Sequence, residues 1–201
     1  MQVLCSGALM RFVAPLCAVW FFSAAGATAF SWGPLLIESM PGTPPDALYA
    51  LALTLAAGNL AGCIVMFWLN AKFQRPALMR VGLLGAAALT LAFGLVGTNV
   101  AALYAVSFFA TMAFQITNNA LYLYTPETAP SEVRNTIFGI AQFAYRLGFT
   151  VAPFILTACL ASSVSVVGIV FGVFFAVAFL LTFALSRPTL GVPMLEAHSY
   201  Y

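Results

Sequence analysis

The sequence predicts an all-α membrane protein with six transmembrane helices. Of its 201 residues, 63% are hydrophobic and only 6% are charged, and the mean hydropathy is +1.04. A soluble domain has about a quarter charged residues to keep its surface hydrated, so lipid must cover most of this chain. The apolar runs are continuous rather than alternating, which favours helices over a membrane barrel.

The charge-free stretches of the chain set the number of helices. Residues 12–37 and 47–71 hold one helix each, whereas 81–126 and 147–186 are long enough for two each. A spanning helix needs about 20 apolar residues, and hairpin turns at 97–99 and 161–163 divide the two long stretches. We therefore predict one domain, residues 1–201, with helices at 12–37, 47–69, 81–98, 101–124, 136–160 and 164–185.

The basic residues predict the orientation of the chain. With six helices, the Lys and Arg side chains all fall at or near one face of the membrane, while Glu38 and Asp46 lie at the other. The positive-inside rule places the basic face in the cytoplasm, or in the matrix or stroma of an organelle. We therefore expect both termini of this integral membrane protein on that side. The basic residues are Arg11, Lys72, Arg75, Arg80, Arg134, Arg146 and Arg187.

The sequence lacks the residue patterns that catalysis or metal binding requires. Its one histidine, His198, lies in the tail, and it has no metalloprotease, nucleophile-elbow or phosphate-loop motif. The four cysteines lack metal or redox spacing, so we interpret them as small apolar side chains. We expect neither an enzyme nor a cofactor or metal, and no basic patch suits nucleic acid. The cysteines are Cys5, Cys17, Cys63 and Cys159.

The loop between the fourth and fifth predicted helices carries the strongest local signal. Glu127, Glu132 and Arg134 lie in it, and Arg146 lies ten residues into the fifth helix, where a charge requires a partner. We predict that Arg146 pairs with Glu127 or Glu132, and that the four residues form an inner-gate charge network. The alternative is a helix stop at Pro126, an ordinary interfacial loop and arginines that extend to the membrane surface.

These residues also carry a family resemblance. The stretch reads Thr-Pro-Glu at 125–127, then a proline, Arg-x-Thr at 134–136, a glycine, and Arg-x-Gly at 146–148. It resembles the signature between the tenth and eleventh helices of the major facilitator superfamily, most of all the branch with sugar porters, organic ion transporters and synaptic vesicle glycoproteins. Gly58 and Gly62 with the loop at 72–76 resemble the eighth helix and the loop after it, and the tail at 188–196 resembles the family's tail. The chain thus resembles helices seven to twelve, the C-terminal half.

The resemblance implies a fold and a mechanism. Each six-helix half of such a transporter consists of two inverted three-helix repeats, and transport rocks one half against the other. A second six-helix half, a second copy or other membrane subunits are therefore expected beside this chain in the lipid bilayer. The family's loop after the eighth helix usually reads Asp, two residues, Gly-Arg-Arg, whereas residues 70–75 read Asn-Ala-Lys-Phe-Gln-Arg. This departure argues against gate pairing at that loop.

Polar side chains in the apolar helices are the candidates for a substrate path. Four of them recur at spacings of three and four residues in the fourth helix, so they share a face. Buried amides must be satisfied, so these residues either line a substrate path or join neighbouring helices. Trp20 and Trp32 either line a cavity or sit at the membrane interfaces, and we expect the interface for Trp32. The candidates are Gln115, Asn118, Asn119 and Tyr122, with Asn59 and Gln142 from the second and fifth helices.

Two functions stay open from the sequence. One is a half-size secondary transporter of a small solute that needs a second half or a second copy. The other is a transporter-derived remnant that serves as a non-transporting structural subunit of a larger membrane complex. The retained Glu127, Arg134 and Arg146 favour transport, while the altered loop at 70–75 and the half-size chain favour the structural role.

Overall fold

Six long helices make up most of the described chain. The computed structural model describes residues 7–33, 46–96 and 99–185. All six helices are long and apolar enough to cross a membrane, which confirms the predicted fold class. They are α1 (Gly7–Ser31), α2 (Ala47–Leu69), α3 (Arg75–Leu95), α4 (Val100–Thr128), α5 (Arg134–Leu160) and α6 (Val164–Leu181), followed by a short 3₁₀ helix at Thr182–Ala184.

Some helix ends differ from the predicted ones. α3 begins at Arg75 rather than at residue 81, because Pro76 lacks an amide proton and therefore fits the first turn of a helix. The fourth helix was predicted to end at residue 124, but α4 continues through Pro126 to Thr128, so the alternative of a helix stop at Pro126 is wrong. Proline removes one backbone hydrogen bond, and here that loss falls in the last turn of the helix. The predicted ends at 34–37 and 98 and the tail from 186 lie outside the described residues.

The helix packing repeats itself between the two halves of the chain. α1 packs mainly on α5 and α6, α4 packs mainly on α2 and α3, and α3 packs on α6. Exchanging α1, α2 and α3 for α4, α5 and α6 leaves this pattern unchanged. Because successive helices cross the membrane in opposite directions, α1 and α4 are antiparallel, as inverted repeats require. In this arrangement α2 and α5 are the least buried helices.

Glycines allow the helix backbones to approach each other closely. A Cβ atom added at Gly168 of α6 would lie 2.6 Å from the Cα of Gly94 on α3. One added at Gly62 of α2 would lie 2.7 Å from the Cβ of Gln115 on α4. Both glycines belong to GxxxG spacings, so these spacings contribute to helix packing, in which hydrophobicity gives no driving force inside lipid.

The Gly168 contact predicts a stability difference between two glycine substitutions. We expect Gly168→Ala to destabilise the bundle by about 1–3 kcal/mol, because the added methyl group overpacks the α3–α6 contact. Gly139→Ala is the matched control, since a Cβ there meets nothing within 4 Å. Both changes raise helix propensity equally, so the difference isolates the contact. The measurement is reversible unfolding in detergent micelles, and equal stability of the two variants would contradict the packing.

Candidate functional site

Charged side chains concentrate at one end of the bundle, which we name the basic end. It holds the first residues of α1, α3 and α5 and the last residues of α2, α4 and α6. Arg75 at the start of α3 forms an ion pair with Glu127 near the end of α4, with 3.2 Å between Nη2 and Oε1. Its Nη1 donates a 2.7 Å hydrogen bond to the carbonyl oxygen of Asn70, just after α2. This largely buried guanidinium therefore joins three helix ends.

Arg80 makes a fourth connection at the basic end. Its Nη2 donates a 3.3 Å hydrogen bond to the carbonyl oxygen of Thr182, which follows α6, and its guanidinium carbon lies 4.6 Å from the ring centre of Phe183. The C-terminal ends of helices carry a partial negative charge, which cations stabilise. The first two turns of α3 thus use two arginines to connect the C-terminal ends of α2, α4 and α6.

The four residues of the predicted gate network do not all lie together in the structure. Glu127 pairs with Arg75 rather than with Arg146, so the predicted pairing is wrong in its partner. Glu132 is exposed in the turn before α5, and Arg134 is the half-buried first residue of that helix. The loop at 70–75 nevertheless ends in a residue that forms an ion pair, because Arg75 is retained at the position of the second arginine in the family's Gly-Arg-Arg.

Arg146 lies deep in the membrane-spanning part of α5. It follows the first residue of the helix, Arg134, by twelve positions, which is about 18 Å along the axis. Its side chain is exposed, and its guanidinium carbon lies 6.0 Å from the ring centre of Tyr145. Among the described residues, no ion pair reaches it. Arg146 is therefore separate from the charge contacts at the basic end.

The predicted polar residues form two seams that flank α4. On the side of α2, the amide nitrogens of Gln115 and Asn119 lie 3.5 and 3.6 Å from the sulfur of Cys63. On the side of α5, the hydroxyl of Tyr122 donates a 3.3 Å hydrogen bond to Oε1 of Gln142. Together with Asn59 and Asn118 these residues define what we name the amide face, shared by α2, α4 and α5.

Hydroxyl groups in the helices are satisfied in a different way from amides. Thr90, Thr111 and Thr150, for example, donate to the carbonyl oxygen four residues earlier in their own helix. Amide side chains cannot place all their donors and acceptors in hydrogen bonds to their own helix. Among the described residues, Oδ1 of Asn118 and Nε2 of Gln142 are buried without a hydrogen-bond partner. A polar surface at this depth therefore requires a ligand, water or a further protein surface.

A cavity opens next to the amide face, between α1, α2, α4 and α5. Its volume is about 310 Å³, which is at the lower end of the range for small-molecule sites. Aromatic and aliphatic side chains such as Phe30 and Phe149 line most of it, and Asn59 and Thr111 provide polar groups. Because α1 and α2 correspond to α4 and α5 in the packing pattern, the cavity lies where the two repeats meet.

Trp20 packs against the buried side of the amide face. The sequence did not reveal this role. It is fully buried, and its Nε1 donates a 3.0 Å hydrogen bond to the hydroxyl of Thr125. Its ring packs edge-on against Tyr122 and Tyr145, at centroid distances of 4.9 and 5.2 Å. Trp20 therefore lies in the core rather than at a membrane interface. An indole N–H in the middle of a span needs a hydrogen-bond acceptor, and this requirement could have placed Trp20 in the core from the sequence.

The cysteines divide into two groups. Cys17 and Cys159 are half-buried free thiols, in keeping with the predicted apolar role, and Cys5 lies outside the described residues. Cys63 is exposed and contacts two amides, so the prediction of a purely apolar role is incomplete for it.

Comparison with known proteins identifies the family. No curated protein matches the chain. The model of the Major Facilitator Superfamily matches residues 2–153, which is most of the sequence. The match agrees with six helices that pack as two inverted repeats, and this family is one of transporters rather than enzymes. The chain therefore belongs to the major facilitator superfamily of secondary transporters.

Proposed function

We propose that the chain forms one half of a transporter for a small solute with hydrogen-bonding groups. The main support for this proposal is the position of the asparagine and glutamine side chains deep in the helices. Within the six described helices they occur on α2, α4 and α5, on the side where the 310 Å³ cavity opens. Amides and hydroxyls donate and accept hydrogen bonds, so this surface suits a polar solute more than a purely apolar one.

A second six-helix unit completes the site in this proposal. Amides exposed to hydrocarbon are unfavourable, by several kcal/mol for each unsatisfied group. In secondary transporters of this type, the binding site lies between two units that rock against each other. The second unit is another part of a longer polypeptide, a second copy or a separate subunit. α2 and α5, the two least buried helices, flank the amide face and provide the contact surface.

We further propose that the chain corresponds to the C-terminal half, in the branch that includes sugar porters and organic ion transporters. The contact between Arg75 and Glu127 supports this assignment, because it connects the two sequence segments that carry the resemblance. The charges support an orientation with the basic end in the cytoplasm, or in the matrix or stroma. Among the described residues, Lys72 and Arg11 lie at that end and Asp46 lies at the other.

The alternative function is a structural subunit without transport. Hydrogen bonds from Gln115 and Asn119 to Cys63 favour it, because they satisfy amides by joining α2 to α4. In that case a neighbouring subunit packs tightly over the amide face and leaves no water there. The two functions therefore differ in whether water reaches Cys63.

The accessibility of Cys63 tests the transport proposal without knowledge of the solute. We expect a membrane-impermeant methanethiosulfonate reagent to modify a variant that retains Cys63 alone several-fold faster than one that retains Cys159 alone. The reason is that a solute pathway contains water, whereas Cys159 is half-buried among apolar side chains. Labelling is measured by mass spectrometry in native membranes. Equally slow reaction at both thiols would contradict the pathway and favour the structural subunit.

The ion pair between Arg75 and Glu127 predicts an energetic coupling at the inner gate. We expect Arg75→Gln and Glu127→Gln each to lower the thermal stability of the bundle, because each leaves its partner charge largely buried and unpaired. The double variant should lose less than the sum, by about 0.5–2 kcal/mol. Lys72→Gln is the control, since it removes an exposed charge from the same loop. Strict additivity in this cycle would show that the two residues do not interact.

A further inference from the structure

Arg146 is a deep cation that has no counter-charge among the described residues. The complete sequence contains five acidic residues, and none of them lies in the middle of a helix that the structure describes. One of them, Glu127 in the last turn of α4, pairs with Arg75 at the basic end. A second copy of the chain has the same distribution of charge, so it has no carboxylate in the middle of a described helix. The five are Glu38, Asp46, Glu127, Glu132 and Glu196.

The side chains one turn before and one turn after Arg146 on α5 carry no charge that could balance its own. Gln142 lies one turn earlier on α5, and its Nε2 is buried without a partner among the described residues. Its Oε1 already accepts the hydrogen bond from Tyr122. Thr150 lies one turn later, and its hydroxyl donates to the carbonyl oxygen of Arg146. A carboxylate fits this arrangement, because it accepts several hydrogen bonds and matches the planar guanidinium.

The surface beside Arg146 is suited to another helix rather than to water. Phe143 and Phe154, on the same side of α5 within two to three turns, expose 68% and 74% of their surface. Leu147 next to them is also exposed. A large apolar strip with one cation at its edge matches a partner helix that is apolar except for one acidic residue.

We propose that this strip of α5 docks a transmembrane helix that carries an aspartate or glutamate at the depth of Arg146. The helix belongs to the second six-helix unit, so the inference rests on the proposed function and adds the chemistry of the partner. Charge complementarity excludes a second copy as the occupant, because its described spans place no carboxylate at the depth of Arg146. The ion pair fixes the register of the two units, since each charge at this depth is costly without the other.

The experiment uses the full chain in its native membranes, with a photo-crosslinking amino acid at position 143 or 154. A cross-linker at Leu180 of α6, which is exposed on a helix away from the amide face, is the control. We expect positions 143 and 154 to cross-link to a transmembrane segment with an acidic residue within one helical turn of the linked site. Cross-links to a second copy, or to a segment without an acidic residue, would overturn the inference and leave the proposed function intact. Cross-links to lipid alone would overturn both.

A charge exchange then tests the ion pair itself. Arg146→Asp should reduce the recovered assembly at least about tenfold, and replacing the partner's acidic residue by arginine in the same cells should restore it. Lys72→Asp, an equal charge change in an exposed loop, should have little effect. Failure of the exchange to restore the assembly would overturn the inference. So would an intact Arg146→Gln assembly with weakened binding of benzoate, which would identify a solute as the carboxylate.

Discussion

The absence of water in the bilayer interior determines most of this structure, because every polar group there needs a protein partner. The helices satisfy their backbone groups internally, and threonines such as Thr90 and Thr111 donate to carbonyl oxygens of their own helix. Amides and guanidinium groups have more donors and acceptors than one helix accommodates. Within the described helices the deep amides lie on α2, α4 and α5, and Arg146 lies on α5 beside them.

The arginines at the basic end provide hydrogen-bond donors and positive charge for the helix ends at the membrane boundary. Three helices end there, and their last carbonyl groups carry partial negative charge. Arg75 and Arg80 on α3 donate hydrogen bonds to carbonyl oxygens that follow α2 and α6. At the end of α4, Arg75 binds the full negative charge of Glu127 instead. An ion pair that joins the ends of separate helices is suited to a gate, because small helix movements separate its partners.

The sequence was sufficient for the parts of the fold that depend on position along the chain. Charge-free runs predicted six helices, which the structure confirms. Pairings between helices were not predictable, because spacing along the chain does not give distances across it. Glu127 therefore pairs with Arg75 instead of Arg146, and the contact of Trp20 with Thr125 joins residues 105 positions apart.

We propose that another protein surface covers the amide face and the strip of α5 beside it. The most direct measurement is the oxygen accessibility of spin labels by electron paramagnetic resonance in native-like bilayers. It compares Phe143→Cys on α5 with Ile169→Cys on α6, both of which are exposed in the isolated chain. We expect low oxygen accessibility at position 143 and high, lipid-like accessibility at position 169. High accessibility at both positions in the complete assembly would contradict it.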